Sequence, residues 1–388
     1  MSEIKVNSIK GVNSTDAAIT INNSDGTCTA NLTNKPNRNL IINGSQIIAQ
    51  RGVSSTSSGY QTVDRFKISF SGTDEAPTQA QVDVASGTTP YTSGFRKSLK
   101  LTNGNQTSGA GAADYMHIVT ALESQDIANS GWNYVSSSSF ISLSFWVKSS
   151  VAQNFYGYLR SQDGTSQKYV FETGSLTADT WTKVTKTISG NSNLTFNNDN
   201  EEGLEILIAP FWGTDYTDSG VGLNAWAAHS GSTRTPDYTS TWYTTNDATF
   251  EITGVQLEVS DHASDFQFRS FAQELALCQR YYYRITPLAN GYYGVGNVDQ
   301  SNNGQIFINF PRTMRVKPTS LETTGTASDY VFRVTNNVTC TSVPAIDNTA
   351  PDSALIRITA TGHGLTDKSG AFLRAGSDNS FLAFSSEL

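Results

Sequence analysis

The stretch Ala248–Tyr283, ATFEITGVQLEVSDHASDFQFRSFAQELALCQRYYY, decides how this chain is read. Phe250, Ile252, Val255, Leu257 and Val259 are apolar at strand spacing, and the alternation changes phase at Gly254, which predicts a β-bulge there. A polar turn, Ser260-Asp261-His262, then leads into the chain's single convincing helical pattern. Ser270 is placed to cap that helix, and Gln273 completes an S-x-x-Q capping box. Phe271, Leu275, Cys278 and Tyr282 follow at i, i+4, i+7 and i+11, one apolar stripe. A strand handing over to a lone helix, in a chain otherwise patterned as strands, predicts the closing seam of a β-domain.

Upstream of this seam the pattern is that of a β-sandwich. Strands are predicted at Phe66–Ser71, Ser98–Thr102, His117–Ala121, Phe140–Lys148, Phe155–Arg160, Tyr169–Glu172, Lys183–Ile188, Leu204–Ala209 and Thr249–Val259. Downstream, Thr286-Pro287-Leu288 reads as a connector. A second set follows at Gly291–Val298, Gly304–Asn309, Thr319–Glu322, Val331–Thr335, Leu355–Thr361 and Phe372–Ala375, with Arg312–Pro318 as a polar crossover. The N-terminal segment is thin and polar: Ile4, Val6, Ile9 and Val12 mark one short strand, and Ala18, Ile19 and Ile21 another. It has too few large apolar residues for its own core, so it pairs on a partner or remains a flexible tail. The expected fold is all-β. An extended arm (1–37) precedes a jelly-roll β-sandwich closed by one short C-terminal helix (38–285), and a small β-sandwich (286–388) follows.

Composition narrows the function. The 388 residues carry 26 Lys+Arg against 34 Asp+Glu, and 15% are charged. An acidic surplus disfavours phosphate-backbone binding, so nucleic acid is not an expected partner. Three scattered cysteines, Cys28, Cys278 and Cys340, make neither a disulfide framework nor a metal knuckle. The N-terminus has no apolar signal-peptide core, and no apolar run reaches membrane-spanning length, so neither secretion by signal peptide nor membrane insertion is expected.

Catalytic patterns are sparse. His117, His229, His262 and His363 each stand alone, without a second His or Cys at ligand spacing, and no G-x-S-x-G or phosphate-cradling loop occurs. Asp199, Glu201 and Glu202 cluster in a polar run that reads as a hairpin loop, with a calcium site and a glycosidase carboxylate pair as the alternatives. The expectation is therefore no enzyme and no cofactor, calcium being the one cofactor weighed. Asp64 and Arg65, flanked by apolar positions, read as an ion pair fixing a loop. The aromatic region carries the functional candidates: Trp212, Tyr216, Trp226, Tyr238, Trp242 and Tyr243, interleaved with Gly, Asp, Ser and Asn. Flat rings with short polar neighbours suit stacking against sugar C–H faces. Packing inside a long loop, or between subunits, accounts for the same rings.

ITGVQLE followed by an acidic, aromatic spacer and ELALCQRYYY resembles a signature of tail-fibre and virion-appendage proteins of tailed bacteriophages. NLIINGS (Asn39–Ser45), QRG (Gln50–Gly52), DRF (Asp64–Phe66) and the C-terminal FLAFSSEL resemble the same family, of the cyanobacterial-phage type. SLSFWVK and TWTKVTKTISG also look like pieces of carbohydrate-binding jelly rolls. The resemblance implies a homotrimeric structural protein of the virion, made in the host cytoplasm. Its arm would attach to other phage tail proteins, and its β-domains would adsorb to a host cell-surface glycan. The alternatives are a purely structural tail or head appendage and a glycan-degrading tailspike.

Overall fold

The computed structural model describes residues 38–362 and 364–388 and, ahead of them, 6–10, 12, 19–22, 24, 26 and 28–30. Ser8–Ile9 (β1), Ile19–Ile21 (β2) and Cys28–Ala30 (β3) pair as a small antiparallel sheet. Ile9 of this sheet and the neighbouring Val6 and Val12 are 52, 40 and 102% exposed, while Ile19 and Ile21 are half-buried. Ile4, Ala18 and His363 lie outside the described residues.

The sandwich is built from β4 (Ser54–Ser55), β5 (Lys67–Ser71), β6 (Thr78–Asp83), β7 (Lys97–Thr102), β8 (Tyr115–Glu123) and β9 (Phe140–Ser149). It continues with β10 (Asn154–Ser161), β11 (Gln167–Ser175), β12 (Thr182–Ser189), β13 (Glu202–Trp212), β14 (Trp226–Ala228) and β15 (Thr249–Glu258). One six-stranded sheet runs β14-β11-β10-β13-β8-β5 and the other β12-β9-β15-β7-β6-β4, all pairs antiparallel. Alternation decides what lies between them. Ile141, Leu143, Phe145 and Val147 of β9, with Phe250 and Ile252 of β15, meet Ile118, Phe155, Phe171 and Ile206 of the facing sheet. Short helices α1 (Thr89–Thr92), α2 (Ser124–Ala128) and α3 (Thr241–Thr244) occupy connections. This is the expected all-β jelly-roll body.

The bulge falls where the phase change predicts it. Thr253 opposes Trp146 and Gln256 opposes Ser144, leaving Gly254 and Val255 opposite the single Phe145. Gly254 takes φ +65°, and a Cβ there would lie 2.7 Å from the Phe95 ring, so glycine is required twice over. The bulge frees the Val255 backbone, and NLIINGS takes it up. Val255 N donates to Gly44 O (2.9 Å), Asn39 Nδ2 donates to Val255 O (3.3 Å), and Leu40 N donates to Leu257 O (2.8 Å).

α4 (Phe271–Cys278) has the predicted capping box, Ser270 Oγ accepting from Gln273 N while the Gln273 side chain accepts from Ser270 N. Its buried face differs from the expected stripe. Phe271 is 61% exposed, whereas Glu274 and Cys278 are buried. The Glu274 carboxylate accepts from Asn43 N and from Arg269, so a charged residue is drawn inward by unpaired donors. Tyr282 is in a strand, not on the helix.

That strand, β16 (Tyr282–Ile285), begins the C-terminal unit, which contains β17 (Tyr292–Gln300), β18 (Asn303–Asn309), β19 (Leu321–Glu322), β20 (Tyr330–Arg333) and β21 (Asn337–Thr339). It ends with β22 (Ala345–Ala350), β23 (Ser353–Thr359), β24 (Gly370–Ala375) and β25 (Leu382–Ser385). A seven-stranded sheet, β21-β20-β24-β17-β18-β23-β22, packs with a three-stranded one, β16-β25-β19, around Ile306, Phe332, Ile356, Leu373 and Phe384. Because β16 pairs with β25, the chain enters this second sandwich before the Pro287 connector, a few residues earlier than 286.

Candidate functional site

The segments QRG, DRF, QRYYY and SSEL come together between the two sandwiches. Arg65 is 2% exposed and has φ +70°, a conformation that L residues adopt at a cost. Its guanidinium pairs with Glu387, donates to Ala121 O (2.6 Å) and lies 3.5 Å from the Tyr281 ring centre. Arg51 pairs with the same Glu387 (3.2 Å) and lies 3.5 Å from the Tyr282 ring centre. Asp64 does not pair with Arg65. It accepts from Gln50 N (3.0 Å) and Gln50 Nε2 (2.5 Å), and Gln50 also donates to Tyr282 O (2.8 Å). Arg280 and Tyr281 both donate to the buried Glu123. Burial pushes the Asp64 carboxyl up to about 6 against the pull of Gln50 and Arg51. Every charge here is engaged by protein, so the junction is built for cohesion.

The aromatic candidates divide into three locations. Trp242 and Tyr243, on α3, are 0% exposed within the main core. Trp242 Nε1 donates to Thr249 O (3.0 Å), and Tyr243 stacks on Phe211 with ring centres 4.3 Å apart. Neither ring has a free face for a sugar. They close one end of the sandwich because two large rings fill what a polar loop end would leave open.

Trp212, Tyr216 and Tyr238 do gather on the outer face of the β10-β13-β8 sheet, where the segment 213–240, which carries the two tyrosines, folds over Trp212. Trp212 is 1% exposed, stacked on His117 (4.7 Å) and Tyr115 (5.2 Å), with the Arg234 guanidinium 4.4 Å from its centre. Tyr238 is half-buried, its hydroxyl donating to Tyr156 O and Ala209 O (3.1 Å each). Tyr115, His117 and Val119 complete this face. The i, i+2 alternation of β8 was the signal for them, hidden because a lone histidine in a strand attracts no notice. Trp226 lies apart on β14, Nε1 donating to Ser189 O (2.7 Å) and its ring edge-on to Tyr169. A cavity of about 250 Å³ lies beside Trp212, Thr217, Asp237, Tyr238 and Ser240.

Burial sets the electrostatics of this covered face. His117 is pushed down to about 3 by burial, helped by Arg234 and Lys67, and it stays neutral. Glu205, between Arg160 and Gln162, is pushed up to about 7 by burial and by Glu202. His117 Nδ1, Trp212 Nε1 and Thr235 Oγ1 are buried without a hydrogen-bond partner among the described residues.

Asp199, Glu201 and Glu202 do not converge. Asp199 Oδ1 accepts from Glu201 N (3.1 Å), Glu201 reaches Arg315 (3.4 Å) and Glu202 accepts from Gln162 (3.2 Å). Among the described residues no group of three or more His, Cys, Asp or Glu is arranged to hold a metal ion.

No protein-family model matches the chain, and no curated protein matches it. Solved structures similar to it include the enzymatically active domain of bacteriophage CBA120 tailspike protein 4, with TM-score 0.31 and 11% identity over 58% of this chain and 22% of that one. A putative sugar binding protein from Bacteroides thetaiotaomicron has TM-score 0.30 and 11% identity, over 57% of this chain and 100% of that one. The N-terminal cellulose-binding domain of Cellulomonas fimi β-1,4-glucanase C has TM-score 0.27 and 11% identity, over 55% of this chain and 98% of that one. The fold assignment rests on the chain's own sheets and register.

Proposed function

We propose that this protein is a tailed-phage virion appendage, a tail fibre, that joins the particle through its N-terminal arm as a homotrimer and adsorbs to host-surface glycan. The observation that carries the reading is the convergence of the motifs. NLIINGS docks on the ITGVQLE bulge, and QRG, DRF, QRYYY and SSEL lock one another through Glu387, Asp64 and the tyrosine rings. Segments far apart in sequence that form one junction mark a shared architecture, which is what a family resemblance at those segments describes. The uncovered apolar residues of the arm support assembly, since exposed valine and isoleucine gain by burial against a partner. We read the activity as binding rather than catalysis, a reading supported by the engagement of Glu123 by Arg280 and of Glu251 by Lys148.

The test is location and adsorption together. Antibody against the purified protein is expected to label the tails of intact particles, and the fluorescent protein to bind cells of the host. Particles that lack the chain overturn the virion reading. A virion component that never binds host cells leaves the purely structural alternative.

A further inference from the structure

The outer face of the other sheet carries a cleft that the aromatic candidates do not touch. We propose that this cleft, centred on Trp146, is a binding site for a neutral glycan. It measures about 350 Å³ and is lined by Ser93, Phe95, Ser144, Trp146, Lys183, Gly254, Asp265, Phe266 and Phe268. The Gly254 bulge forms its floor. By turning the strand and leaving no Cβ above Phe95, it lets Phe95, Phe266 and Phe268 cluster at 4.9–5.0 Å on one side of Trp146.

Three of the cleft's polar groups are unspent, while the Ser93 hydroxyl donates to Thr89 O (2.9 Å). Lys183 stands directly across the strand pair from Trp146, and Ser144 is two residues along the same face. The Lys183 ammonium and the Asp265 carboxylate are exposed and have no ion pair or hydrogen bond among the described residues. Ser144 is 4% exposed, and its hydroxyl likewise has no partner. This contrasts with the interdomain junction, where each charged group is engaged. A half-exposed indole, a carboxylate that accepts from hydroxyls, an ammonium that donates to them and a buried serine make a sugar-binding set. The opposite charges on the two walls favour a neutral saccharide over an acidic one. Trp181 continues the face along the Lys183 strand. It is half-buried, with the Lys148 ammonium 5.1 Å from its ring centre, and gives a longer chain a second ring to lie on.

The proposal rests on the glycan-adsorption reading and relocates its site. The full chain is titrated with soluble neutral polysaccharides (mixed-linkage β-glucan, xylan, mannan and dextran) by affinity electrophoresis and by quenching of tryptophan fluorescence. At least one is expected to bind, and Trp146→Ala is expected to weaken it by more than about tenfold. Lys183→Met, at an exposed position where folding is not at stake, is expected to weaken it severalfold, and Trp226→Ala to leave it unchanged. Binding that survives both cleft variants overturns this site while the adsorption reading stands. No binding to any of the four, or to whole host cells, overturns both.

Discussion

Asp64 shows how a buried charge engaged only by neutral donors acts on stability. Its carboxyl is pushed up to about 6 in the fold from the ordinary 3.8, chiefly because burial disfavours the anion. Between those values the native state binds more protons than the unfolded chain. This contribution is therefore complete below 3.8 and is lost as pH rises through 6. Asp64→Asn is expected to flatten that window, read from urea unfolding at pH 5 and 7.5. An unchanged pH profile would contradict the assignment. Gly254 makes the opposite kind of prediction. Gly254→Ala must hold a positive φ and displace Phe95, so a loss of about 2 kcal/mol or more is expected in thermal or chemical unfolding.

Elements hold together through the groups their ends leave unpaired. Ser270 caps a helix of two turns that covers the seam, and Ser270→Ala is expected to cost about 1 kcal/mol. Segment 213–240 is held over its sheet by Arg234, by Tyr238 and by Lys168, whose ammonium donates to Thr233 O and Arg234 O. Beneath it His117 stays neutral to about 3 while its unfolded counterpart titrates near 6.5, so stability is lost as pH falls below 6.5. Tyr115, Trp212, Lys67 and Arg234 surround it, leaving the imidazolium no anionic partner. Limited proteolysis is expected to cut 213–240 faster at pH 4.5 than at pH 7. His117→Phe, which keeps the stacking and removes the titration, is expected to reduce that difference; equal acid sensitivity in both proteins would count against the mechanism.

At the scale of the whole molecule, the two sandwiches share one polar junction and are expected to unfold as a coupled pair. Removing Leu382–Leu388 deletes the central strand of the three-stranded sheet and both ion pairs of Glu387. Calorimetry of that truncation is expected to show the C-terminal transition lost and the sandwich transition lowered. An unchanged sandwich transition would make the junction energetically idle. The proposed trimer has a separate test. Deleting residues 1–37 is expected to leave the sandwiches folded and to lower the mass seen by light scattering, whereas a full chain that is already monomeric would remove the case for assembly through the arm.

Local order was legible because its causes are local. The β-strand spacing of Phe140–Lys148, the phase change at Gly254 and the Ser270–Gln273 box each depend on neighbours within a few residues, and each lies where the sequence puts it. Thr78–Asp83, Ala345–Ala350 and Leu382–Ser385 were missed: the first two are polar strands with little apolar alternation to announce them, and the last owes its pairing to strands far away in sequence. The candidate site divided along the same line. A row of tryptophans and tyrosines announces rings but not which side of a sheet they face. Trp242 and Tyr243 went inward, Trp212 was covered by its own following segment, and Trp146 kept an open face because the bulge beside it turned the strand. What the sequence determined by itself was the all-β architecture, the capped helix and the identity of the motif segments, all written in short-range pattern. What only the tertiary structure decided was which rings remain open to a ligand and that Glu387, at the far end of the chain, ties down Arg51 and Arg65. Exposure and charge pairing are set by contacts that no local window contains.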